Sequence, residues 1–95
     1  METSQMFSLT TRVVALPGQR DALTEILVKG SRNMPGCLDY VVANDPFDER
    51  LIWINEVWES EASCRSALAL AQVKEATRAA LPMIVGVGDG RHERG

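Results

Sequence analysis

The chain has 95 residues, 45% of them hydrophobic and 24% charged, with a formal net charge of −3. That length holds a single domain with one thin core; no apolar run approaches the ~20 residues of a membrane-spanning helix, and without clustered lysines and arginines a nucleic-acid partner is not expected, since neutralising phosphates needs gathered cations. The opening METSQM lacks the basic start and apolar middle of a secretory signal, so a cytoplasmic location is expected, with Cys37 and Cys64 as free, buried thiols and no histidine near them to complete a zinc site.

Residues 6 to 16, MFSLTTRVVAL, alternate β-branched and apolar residues with threonines and stop at Pro17-Gly18, which predicts a first strand. From about Arg20 to Arg32 the apolar positions Leu23, Ile26, Leu27 and Gly30 recur at helical spacing, with Asp21 placed well in the first turn. Met34-Pro35-Gly36 breaks that helix, because the residue before proline avoids the helical region and glycine accepts positive φ. A second strand, CLDYVVAND over 37 to 45, is expected to carry Leu38, Tyr40 and Val42 on one face and Cys37, Asp39 and Val41 on the other. After the turn-prone DPFDE comes a third strand, LIWINEVWE. Ser60 is a good N-cap for a helix running to about residue 80, bending near Leu70-Ala71 and ended by Pro82. A last strand is needed beyond it, either MIVGV or the GRHERG tail, and both are weakened by glycines. The ends, about 1–5 and 87–95, are expected to be flexible.

The order β-α-β-β-α-β predicts an α+β fold of the ferredoxin-like, split β-α-β type, a sheet with helices on one face. The third strand has apolar side chains on both sides. Ile52, Ile54 and Trp58 share one face; Leu51, Trp53 and Val57 share the other. If helices cover the first, the second leaves water only by meeting another molecule, and a second copy of the same sheet across a two-fold axis is the simplest partner. A face-to-face homodimer is expected.

The stretch from MPGCLDYVV through WESE to LPMI resembles the antibiotic biosynthesis monooxygenase family, small dimeric α+β barrels that include quinol monooxygenases and polyketide anthrone oxygenases. The marks are the PGC turn entering the second strand, a third strand closing in WESE and running directly into a helix, and LPMI after the last helix. The likeness covers about residues 6 to 86. It implies the dimeric fold strongly and the chemistry weakly, because one fold hosts many activities.

The resemblance implies a cofactor-independent monooxygenase acting with O2 on an aromatic quinol, phenol or anthrone. The residues themselves point away from other chemistry. The single histidine, His92, lies in the C-terminal tail, so no Ser/His or Cys/His nucleophile pair and no metal-ligand cluster is available in the body of the chain. GVGDG, residues 86 to 90, lacks the spacing and the strand-to-helix setting of a phosphate loop and reads as a flexible turn, and no flavin or nicotinamide fingerprint occurs. Neither metal nor cofactor is expected. A deprotonated phenol or anthrone can itself reduce dioxygen, so the protein needs an apolar pocket, a proton acceptor and donors for the developing oxyanion.

A pocket lined by Leu38, Tyr40, Ile54, Trp58 and Cys64 is expected between sheet and helices. By the resemblance, Trp58 of WES lines the cavity and offers its indole N–H, and Arg78 stands where similar enzymes carry an arginine proposed to act on the peroxide or carbonyl oxygen. From the residues alone, Trp58 reads equally as core packing and Arg78 as a surface ion pair. Glu56, on the same strand face as Trp58, is a candidate base; its other reading is an ion pair with an arginine across the sheet. Asn55 is assigned to the dimer face. The chain departs from the anthrone-oxygenase pattern at Ile54 and Cys64, where those enzymes have asparagine and tyrosine, and Ala67, Gln72 and Thr77 stand where quinol-oxidising or haem-degrading relatives place histidine or tryptophan. A dimeric protein that binds a small aromatic ligand without turnover is the alternative; a muconolactone-isomerase-like catalyst is third, because no proton shuttle is identifiable.

Overall fold

The computed structural model describes residues 5–89. Among these residues, four strands, β1 (Phe7–Ala15), β2 (Cys37–Asn44), β3 (Leu51–Trp58) and β4 (Ile84–Asp89), and three α-helices, α1 (Arg20–Gly30), α2 (Glu61–Ala67) and α3 (Ala71–Ala80), follow in the order β1-α1-β2-β3-α2-α3-β4. The sheet order is β2-β3-β1-β4, antiparallel throughout. This is the α+β, ferredoxin-like arrangement that the element order predicts. The thinnest dimension, 17 Å, corresponds to one sheet and one layer of helices.

Local chemistry accounts for the boundaries. Gly18 turns the chain out of β1 at φ 77°, and α1 begins two residues later with Asp21 in its first turn and Lys29 in its last, each complementing the helix dipole. The helix ends at Gly30, two residues before the expected Arg32, because the Gln72 side-chain amide of α3 donates to the carbonyls of Gly30 (3.0 Å) and Arg32 (2.6 Å) and so satisfies backbone acceptors at its C-terminal end. Gly36 at φ 81° starts β2. Ser60 caps α2 by accepting from the Ser63 backbone N–H at 3.2 Å. The bend expected near Leu70-Ala71 is a full break between α2 and α3, and Pro82 sits in a single 3-10 turn, Leu81–Met83, that delivers the chain into β4.

The segment after LPM forms a last strand: Gly86, Val87, Gly88 and Asp89 lie opposite Val14, Val13, Arg12 and Thr11 of β1. Residues 86 to 89 are therefore strand, not the flexible turn and flexible end that their glycines suggest. Lacking a β-carbon, Gly88 admits the Arg12 guanidinium, which would stand 3.3 Å from one. His92 and the GRHERG tail lie outside the described residues.

Two buried clusters hold the layers together. Val13, Ala15, Leu23, Ile52, Ile54 and Ala80 form one; Met34, Trp58 and Ala67 form the other, with Phe7, Cys37 and Cys64 against it. Among the described residues no polar or charged side chain is fully buried. The strand faces of β3 are as the alternation predicts: Ile52, Ile54 and Trp58 are buried, while Leu51, Trp53 and Val57 lie half-buried on the open side. β2 departs from its alternation. A bulge between Cys37 and Asp39 sets Cys37 opposite Trp58 and Asp39 opposite Val57. Cys37 therefore joins the helix-side core, and Leu38, expected there, is the extra residue and is 53% exposed.

Candidate active site

The helix-side face of β2 and β3 places Tyr40 directly across from Glu56, with Val42 across from Ile54 and Cys37 across from Trp58. Trp58 is 2% exposed, and its indole N–H donates to Oε1 of Glu56 at 2.8 Å. The two residues are two apart on one strand, so the pleat points both to the helix side and the bond closes along the strand. The indole body packs with Met34 and Ala67. Trp58 is thus both core packing and a hydrogen-bond donor, and its donor is committed to Glu56.

Above this pair is a cavity of about 300 Å³. Leu27, Gly30, Ser31 and Met34 form one wall; Val73, Ala76, Thr77 and Ala80 of α3 another; Tyr40, Glu56 and Cys64 supply its polar end. The α3 residues are spaced i, i+3, i+4, i+7, one face of a helix. The helices approach closely because Gly30 has no side chain: a β-carbon there would collide with that of Ala76. Larger depressions along α1 and beside the β1–α1 turn are walled by Asp21, Glu25, Lys29 and Arg32, and by Arg20, Glu49 and Arg50; they are charged and open to water.

Burial raises the pKa of Glu56 above the usual carboxylate value, and the Trp58 hydrogen bond partly opposes the rise. Burial also raises the Tyr40 phenol well above its ordinary value, helped by the negative charge of Glu56 and by Cys37 and Cys64. Both thiols are free, and both are pushed up by burial first; Glu56 adds to the rise, while a hydrogen bond to the Asp39 carbonyl lowers Cys37. Glu56 is thus a carboxylate with depressed acidity, placed among groups that all stay neutral.

The expected site residues divide accordingly. Tyr40, Glu56 and Cys64 line the cavity. Ile54 faces the helices but is sealed in the core beside Val13 and Ile52. Leu38 is carried away by the bulge. Arg78 is not brought to the cavity: its guanidinium bonds Glu75 at 3.0 Å on the outer side of α3, where its side chain is 73% exposed. Glu56 pairs with Trp58, not with an arginine. Asn55 lies on the open face, accepting from Thr10 Oγ1 at 3.0 Å. Thr77, Ser31 and Met34 were not predicted as lining; the α3 phase that selects Val73, Ala76 and Ala80 also selects Thr77 and excludes Arg78, and that signal was present in the residues. Among the described residues no three His, Cys, Asp or Glu side chains converge as metal donors, and no helix is long and apolar enough to cross a membrane.

Residues 6–79 match the sequence model of the family described as antibiotic biosynthesis monooxygenase. Among solved structures, a protein from Chloroflexus aurantiacus J-10-fl provisionally named an antibiotic biosynthesis monooxygenase is 43% identical, with a TM-score of 0.83 over 95% of this chain and 97% of that one. A Pseudomonas aeruginosa protein aligns at 23% identity and TM-score 0.81, covering 93% and 92% of the two chains. A second protein provisionally named an antibiotic biosynthesis monooxygenase, from Bacteroides thetaiotaomicron, aligns at 18% identity and TM-score 0.83, covering 92% and 87%. These last two share the fold. A search of curated proteins finds no match.

Proposed function

Because this chain belongs to the antibiotic biosynthesis monooxygenase family, we propose that it is a monooxygenase that oxidises an aromatic quinol, phenol or anthrone with dioxygen, using neither metal nor flavin. The observation that carries this reading is the Glu56 carboxyl, raised in pKa and hydrogen-bonded to Trp58, at the polar end of an otherwise apolar cavity. A carboxylate whose proton affinity is raised is a better base for a weakly acidic hydroxyl than one in water.

A ring enters between α1, α3 and the sheet, and its hydroxyl hydrogen-bonds to Glu56. The proton passes to the carboxylate, and the electron-rich anion left on the ring gives one electron to dioxygen. Superoxide and the ring radical combine to form a C–O bond, and Glu56 returns its proton to the peroxide oxygen. Loss of water from a carbon still bearing hydrogen leaves a carbonyl. One oxygen atom stays on the ring, the other leaves in water, and the substrate supplies every electron. Ser31, Tyr40, Cys64 and Thr77, the other polar side chains that line the cavity, orient the ring.

Oxygen uptake tests the proposal directly, with a panel of hydroquinones and anthrones in metal-free buffer. The expected result is consumption above the spontaneous rate that Glu56→Gln abolishes; no enhancement with any member of the panel would sink it. A second reading is supported by the exposure of Arg78 and by Ile54 and Cys64 in place of polar groups: a protein that binds a small aromatic ligand without turnover. Saturable tryptophan quenching with no product formed would favour it.

We further infer a homodimer through the open face of the sheet, where Leu51, Trp53 and Val57 lie beside Val14 and Val41 without a covering layer. Light scattering at micromolar concentration should give twice the 10.4 kDa chain mass; a 10.4 kDa particle would exclude it. The half-buried free thiols fit a reducing, cytoplasmic setting.

A further inference from the structure

The cavity is unbalanced in charge. Glu56 is its one carboxylate, and among the described residues no lysine, arginine or histidine lines it. The arginines of the two helices above are engaged on the outer surface, Arg65 with Glu61 at 2.9 Å and Arg78 with Glu75 at 3.0 Å. The Glu56 carboxyl is also only half engaged. Oε1 accepts the Trp58 indole N–H, whereas no donor among the described residues reaches Oε2. Yet Oε2 is not a sealed, unsatisfied atom, since among the described residues the one such buried side-chain atom is Nε of Arg20. Oε2 therefore keeps accessible surface, and Glu56 is one of the residues that line the cavity.

We propose that Glu56 sets the class of ligand this cavity admits: an uncharged, largely apolar molecule that offers a hydrogen-bond donor to Oε2, with anionic analogues turned away. The inference rests on this cavity being the ligand site of the preceding reading, but it does not require turnover. Two physical terms support it. A second negative charge brought within a few ångströms of the carboxylate meets repulsion that no cation in the walls offsets. A ligand of the same shape without a donor leaves Oε2 desolvated and unpaired, which a site built around a polar group discriminates against strongly.

The test is calorimetric binding at neutral pH of three probes of nearly equal size: 2-naphthol, 2-methoxynaphthalene and 2-naphthoate. The expected order is 2-naphthol tightest, about 10-fold over the methyl ether and about 100-fold or more over the carboxylate. Glu56→Gln, confirmed as folded by its melting curve, keeps the shape and removes the charge, so its rejection of 2-naphthoate should fall by about 10-fold or more. The proposal is overturned if the wild type binds 2-naphthoate or the ether as well as 2-naphthol, if 2-naphthol shows no binding, or if Glu56→Gln leaves the selectivity unchanged. Oxygen uptake separates this from the catalytic reading: an inactive protein with the expected order supports the inference and sinks the monooxygenase, whereas an active one that binds the carboxylate equally well does the reverse.

Discussion

The Trp58 indole nitrogen lies 2.8 Å from Oε1 of Glu56, two residues away on the same face of β3, so a core side chain orients the carboxyl at the cavity and moderates the rise in pKa that burial causes. Removing that donor while keeping an aromatic filler separates the two roles. Trp58→Phe should cost about 1–3 kcal/mol of stability through lost volume. It should also raise the pKa of Glu56 further, because the hydrogen bond is what holds it down. The base works deprotonated, so the acid limb of the kcat/KM profile should move to higher pH. An unmoved limb would mean that Trp58 only packs.

Glu56 also leaves a signature in stability. Its pKa in the folded protein is raised, chiefly by burial, so the folded state holds the proton more tightly than the unfolded chain. The stabilising contribution is therefore fully present below the unfolded-state pKa and is lost as pH rises through the folded one. The facing groups, Tyr40, Cys37 and Cys64, are raised as well and remain neutral through this window. Glu56→Gln should melt at a higher temperature than the wild type near neutral pH, with the gap closing in acid, as measured by calorimetry across pH.

Asp45 has the opposite sign. Its carboxylate accepts from the Trp53 indole (2.9 Å) and from the backbone N–H groups of Phe47 (2.9 Å) and Asp48 (2.8 Å), and these bonds, the Trp53 bond first, lower its pKa. That contribution is present above the unfolded-state pKa and is lost as pH falls through the lowered value. Asp45→Ala should lower the melting temperature at neutral pH, and the difference should shrink in acid. Trp53 fluorescence should report the loosened β2–β3 turn.

Gly30 is where α1 and α3 touch. Valine there must displace Ala76, and overpacking of this kind costs about 1–3 kcal/mol. The gain in helix propensity over glycine is only a few tenths of a kcal/mol, so the clash wins. Gly30→Val should lower the melting temperature by about 4–8 °C per kcal/mol lost and weaken ligand binding, since Gly30 also lines the cavity.

Arg78→Ala should change little. An exposed i,i+3 ion pair with Glu75 contributes about 0–1 kcal/mol, and the side chain does not line the cavity. Oxygen uptake and melting temperature should both stay close to wild type; a large loss of activity would place Arg78 in the chemistry after all.

The periodicity of the chain was enough to order the elements and sort most side chains between layers, because strand alternation and helical phase are local properties of the backbone. Ile52, Ile54, Glu56 and Trp58 had to share one face of β3, and the apolar pattern of Leu51, Trp53 and Val57 marked the other. The place of Thr77 and Arg78 is legible in the same way, because the alanine phase of α3 puts Thr77 on the inner face and Arg78 on the outer one. Packing between elements supplied the rest. The bulge that trades Leu38 for Cys37 depends on how β2 registers against β3, and β4 forms despite its glycines because β1 offers it a partner edge. The Trp58–Glu56 bond and the volume above it depend on side chains from α1, α2 and α3 converging on one spot. Rotamers, hydrogen-bond partners and voids are settled by neighbours far along the chain, and no local pattern encodes them.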